Sequence, residues 1–188
     1  MLKGYKSFNK DLRNKNGAQF EVGKTYIEDC DLSFNVDERG FMFCKRPEDT
    51  IFFAPDRENV TIAEVTALGE IVEGVSGQGT YENIYTTNKM RIDRVIPREE
   101  LIDMFLNMNE HNTDRVIRFI QMYNLTPEEV AMFYERFVTS IEPTIKVMKE
   151  DGTVVYDYVH ARERVQQALD YYQGNEKGAY QKTKLNQQ

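Results

Sequence analysis

Apolar residues follow two different rhythms along the chain. As far as Pro97 they largely alternate with polar ones, as strands on a half-buried sheet do; from Arg98 onward they recur every third and fourth residue, as on one face of a helix. The change predicts an α+β fold. An N-terminal mixed, mainly antiparallel β-sheet domain is expected over residues 1–97, a C-terminal helical bundle over 98–173 and a flexible tail over 174–188.

Within the first part, Leu2 to Phe8 predicts a strand, Asn16-Gly17 a tight turn, and Phe20, Val22 and Tyr26 a second short strand. The acidic stretch Ile27 to Arg39 reads as a loop with a short edge strand kept soluble by its charges. Gly40 to Pro55 is the aromatic centre: a strand holding Phe41 and Phe43, a charged turn, and a second buried segment with Phe52 and Phe53. Thr61 to Val72 is β-prone, but Ile62 and Val65 fall on opposite faces of a regular strand. Either both faces are covered or a bulge intervenes. Gly74 to Gly79 reads as a flexible connector and Thr86 to Ile96 as one further strand.

The helical part begins with Leu101, Ile102, Phe105 and Leu106, then continues with Val116, Ile117 and Ile120 after a polar break. Thr126-Pro127-Glu128-Glu129 has a hydroxyl cap, a proline at the first helical position and acids in the first turn. It predicts a helix start, with Pro143 ending or kinking that helix. Asp151-Gly152 suggests a small hairpin, and Tyr158 to Tyr172 a last helix.

Composition narrows the chemistry. The 188 residues carry a formal net charge of −7, so broad nucleic-acid or anionic-membrane binding, which needs a basic surface, is not expected. The interleaved charges of Met1 to Phe20 do not form a signal segment, and no apolar run reaches membrane-spanning length; a cytoplasmic protein is expected. Cys30 and Cys44 are too few for a disulfide framework, and free thiols are expected. His111 and His160 sit in polar surroundings. No phosphate loop, nucleophile elbow or helical zinc motif occurs, so no catalytic residue, metal or cofactor is assigned.

Four ordered motifs carry a resemblance. Residues Gly4 to Leu12, Phe20 to Tyr26, Gly40 to Cys44 with Pro47-Glu48-Asp49, and Ala63 to Ile71 resemble an uncharacterised domain family of bacteriophages and prophages, found alone or ahead of pentapeptide repeats. The resemblance covers about the first hundred residues. It implies phage origin, and the host cytoplasm as the compartment. The order of segments is also similar to the three-part NAD site of ADP-ribosyltransferases, which would use Lys6, Phe43 and Glu64 or Glu70. Lys6 stands where that family has Arg or His, and Cys44 near where it has Ser or Tyr.

These features support three functional readings. The first is a phage-encoded, non-enzymatic protein that binds a host or phage macromolecule, as an inhibitor of bacterial anti-phage defence, with Tyr123, Tyr134, Tyr171 and Tyr172 in the interface. The second is the ADP-ribosyltransferase-like enzyme. The third is a virion or accessory structural protein that forms a homo-oligomer through its helices.

Overall fold

The computed structural model describes residues 1–14, 16–33, 39–54, 60–74, 84–108, 113–139, 145–151 and 154–173, with the backbone alone for 145–148 and 154–161. By its contacts the chain divides into two compact units, Met1–Glu100 and Leu101–Gln188. The expected connector after Gly74, most of the edge strand before Arg39, the side chains of both histidines and the tail lie outside the described residues.

The first unit is built from strands β1 (Leu2–Phe8), β2 (Thr25–Ile27), β3 (Phe41–Cys44), β4 (Thr61–Ala67), β5 (Ile71–Glu73), β6 (Ile84–Thr87) and β7 (Lys89–Val95). Among the described residues they form a seven-stranded sheet in the order β2-β7-β4-β1-β3-β6-β5. Each of these pairings is antiparallel, which corrects the expected mixed sheet. β1 lies at its centre, paired with β4 over its whole length and with β3 through Tyr5 and Cys44.

This order cannot be laid flat. β6 and β7 stand four positions apart, which at about 4.8 Å per strand would separate them by about 19 Å. Only Asn88 joins them, and two residues of chain reach about 7 Å at most. The sheet must therefore curl until β6 runs into β7. Both strands point the same way, so they are two halves of one kinked strand, paired with β5 and β4 as a kinked partner. This replaces the single strand expected over Thr86 to Ile96. At the kink Asn88 Oδ1 accepts from Glu70 N at 3.0 Å, while Leu68 N donates to Lys89 O at 2.8 Å.

Ile62 and Val65 are both buried because both faces of β4 are covered: β4 keeps an unbroken register with β1, and the bulge opposite Glu64 and Val65 lies in β7, where Asp93 is the extra residue. The inner face holds Phe8, Phe41, Phe43, Val65, Met90 and Ile92. Phe20, expected in a strand, lies outside one. It is nonetheless central, with ring centroids 5.2 Å from Phe8 and 4.6 Å from Tyr26. Gly4 permits this packing, since a Cβ there would stand 2.6 Å from the Phe43 ring and 2.5 Å from Cys44 O. The second apolar run after β3 is a 3-10 helix, Pro47–Phe53, whose Ile51 is buried while Phe52 is exposed. Ser7 Oγ ties it to β1 by donating to Thr50 O.

The second unit contains the body of α1 (Arg98–Leu106), then α2 (Thr113–Met122), α3 (Pro127–Tyr134), a π-helical turn (Glu135–Thr139), the hairpin β8 (Ile145–Met148) and β9 (Val154–Asp157), and α4 (Tyr158–Tyr172). The expected helical body thus includes a two-stranded sheet, at the place where Asp151-Gly152 predicted a hairpin. Its core is a run of stacked rings: Phe105 on Phe119 at 4.0 Å, then Phe133 and Phe137. The capping box at Thr126 is formed, with Glu129 N donating to Thr126 Oγ1 and Thr126 N to Glu129 Oε2. Arg136 donates to the carbonyls of Leu106 and Met108, closing the end of α1 with a cation. Among the described residues no helix is long and apolar enough to cross a membrane.

Candidate functional site

Register decides what the first unit can bring together. Along β1, Lys6 is opposite Ala63 and Tyr5 is opposite Glu64. Successive side chains point to opposite faces, so Lys6 and Glu64 leave the sheet on opposite sides. Phe43 is buried in the inner core, stacked near Tyr85 at 5.6 Å. Glu70 is exposed at the kink, outside the strands. The four residues of the NAD analogy are therefore not gathered in one place.

On the outer side, Glu64 is held by Arg94, which also makes a two-pronged contact with Glu100, each at 2.6 Å. Glu100 is held below the usual carboxylate range chiefly by its hydrogen bonds from Arg94, and the same bonds hold the guanidinium proton more tightly. Tyr5, beside this cluster, is pushed up by burial and then by the charge of Glu64. The bulge produces the arrangement by letting Arg94 face Glu64 while Thr66 donates to Asp93.

Lys6 opens instead on a cavity of about 600 Å³ in the first unit. Its walls come from β1, from Phe41 and Met42 of β3, from Thr86 of β6, from the loop carrying Glu28, Cys30 and Arg39, and from Phe53 at the end of the 3-10 helix. Lys6 Nζ donates to Met42 O at 2.7 Å and lies 5.8 Å from the Phe8 ring centroid. Glu28 Oε2 accepts from Gly40 N at 3.1 Å and faces Cys30 Sγ at 3.9 Å. Burial, and next the carboxylate of Glu28, push the Cys30 thiol up, so it stays protonated at neutral pH.

The family model for a domain of unknown function, DUF7666, matches residues 2–104. The chain belongs to the DUF7666 family. The match spans every strand of the curled sheet, so the cavity lies wholly within the DUF7666 domain. No curated protein and no solved structure matches the chain.

In the second unit, beyond the DUF7666 match, a groove of about 660 Å³ runs between α2 and α4. Ile117 and Ala168 form its buried floor, and Gln121, Arg164, Gln167, Tyr171 and Tyr172 line it. Arg164 donates to Asp114 at 2.6 Å near the start of α2. Gln173 donates to Ile120 O and Tyr123 O at its end, so the two helices run side by side in the same direction. The structure brings Tyr171 and Tyr172 together, edge to face at 4.6 Å. Tyr123 is stacked on Phe119 at 4.2 Å, and Tyr134 is half-buried on α3; neither lines this groove. Arg164 and the two glutamines were not singled out by sequence, because only the pairing of α2 with α4 sets them beside the tyrosines.

Proposed function

We propose that the chain is a phage-encoded, non-enzymatic protein that binds a host or phage macromolecule and acts as an inhibitor of a bacterial anti-phage defence system. Phage origin rests on the resemblance of the four motifs in the DUF7666 part. The binding role rests on one observation, the α2–α4 groove with its paired tyrosines and Arg164. Tyr and Arg side chains at a concave patch are the types that dominate protein–protein binding energy, because they bring large contact area and a fixed hydrogen-bonding fork. The partner class is a protein, engaged by the helical unit.

Affinity capture from host lysate, followed by mass spectrometry, tests this reading. The expected result is one stoichiometric protein retained by the wild type and lost from the Tyr171→Ala/Tyr172→Ala double variant. Capture of no such protein, or equal capture by the variant, would overturn it.

A further inference from the structure

We infer that the cavity of the DUF7666 domain is a site for a small ligand in which a planar ring carries an anionic group, of the size and chemistry of a mononucleotide. Its volume of about 600 Å³ falls within the roughly 300–1,000 Å³ of small-molecule sites. The charge of its described lining runs against that of the whole molecule: Lys6 and Arg39 outnumber Glu28, in a chain of net charge −7. Lys6 is half-buried in mid-strand, where an ammonium is costly unless it meets carbonyls or anions; Met42 O supplies one such contact.

The apolar part of the lining includes three aromatic rings, Phe20, Phe41 and Phe53, beside Met42, Ala54 and Ile84, and aromatic side chains are the groups against which a flat ring packs. Asn14 and Asn16 add polar groups on the turn after β1 suited to ring nitrogens and exocyclic groups. Asn14 Oδ1 already accepts from the backbone of Asn16 and Ala18, which fixes this turn in place. Cation, aromatic face and amide edge are the three elements that single out a phosphorylated base from a bare anion or a bare ring. The site is independent of the α2–α4 groove.

Calorimetric titration of the full chain with 5′-AMP and 5′-UMP tests the assignment, with adenosine and inorganic phosphate as separate arms. Micromolar binding of at least one nucleotide is expected, tighter than either adenosine or phosphate alone. Lys6→Met is expected to weaken it about tenfold or more, the size of a lost charge-assisted bond. Phe53→Ala, a second variant at the cavity rim, is expected to weaken it about fivefold or more through lost stacking. Absence of heat with both nucleotides at millimolar concentration, equal binding of phosphate or adenosine, or undiminished affinity in Phe53→Ala would each overturn the proposal.

Discussion

Glu100 gives the pH dependence of stability a defined sign. Its carboxyl is held below the ordinary value of 4.5 in the folded state, mainly by the Arg94 hydrogen bonds. A depressed folded value means the ionised form favours folding, so its contribution is present above about 4.5 and is lost as the pH falls through the folded value. Glu100→Gln is therefore expected to lower the urea midpoint at about pH 7, by an amount that shrinks as the pH falls below 4.5, as read by circular dichroism. Cys30 is governed by burial and by Glu28, so Glu28→Gln is expected to speed its alkylation at fixed neutral pH, the buried Cys44 remaining silent. Gly4 is a third single-residue control. Gly4→Ala forces a methyl against Cys44 O and the Phe43 ring and is expected to cost about 1–3 kcal/mol in chemical denaturation.

Elements were legible where the local chemistry was sufficient. Thr126-Pro127-Glu128-Glu129 contains every group its cap uses, and Thr126→Ala is expected to cost about 1 kcal/mol of stability in urea unfolding, by loss of the bond to Glu129 N. Helix α4 occupies the residues its apolar spacing indicated, Tyr158 to Tyr172. The covering of both faces of β4 was visible as a phase conflict between Ile62 and Val65, whereas the bulge itself lies in β7 at Asp93. The kink was not visible, because one polar pair, Asn88 and Lys89, between Thr86-Thr87 and Met90 does not by itself end a strand, and the bend is held by partners distant in sequence, Glu28 N donating to Asn88 O and Glu70 N to Asn88 Oδ1. Phe52 and Phe53 resemble a strand by composition, yet Pro47 and the contact of Ser7 with Thr50 hold them in a 3-10 turn. The candidate sites divide in the same way. Tyr171 and Tyr172 announce themselves as aromatics, whereas the separation of Lys6 from Glu64 depends on a register that no single stretch encodes.

At the scale of the whole molecule, each unit has its own buried aromatic centre, Phe8 with Phe20 and Phe43 in one, Phe105 with Phe119 and Phe133 in the other. Two such cores in one chain are expected to unfold with a calorimetric enthalpy exceeding the van't Hoff value; equality of the two would show a single cooperative unit. The acidic surface, at net −7, is expected to favour solubility and basic or neutral partners, in keeping with a protein partner.

The kinked strand also bears on how the first unit comes into being. Residues 84–95 pair with segments centred near 26, 43, 64 and 72, so the closing strand is also among the last made by a ribosome. Until it is in place, a nascent chain ending near Glu73 carries β3 and β4 as two open edges, each able to recruit a strand from another chain. Premature termination in this domain is thus an aggregation hazard, and one that disappears only when Asn88 turns the corner.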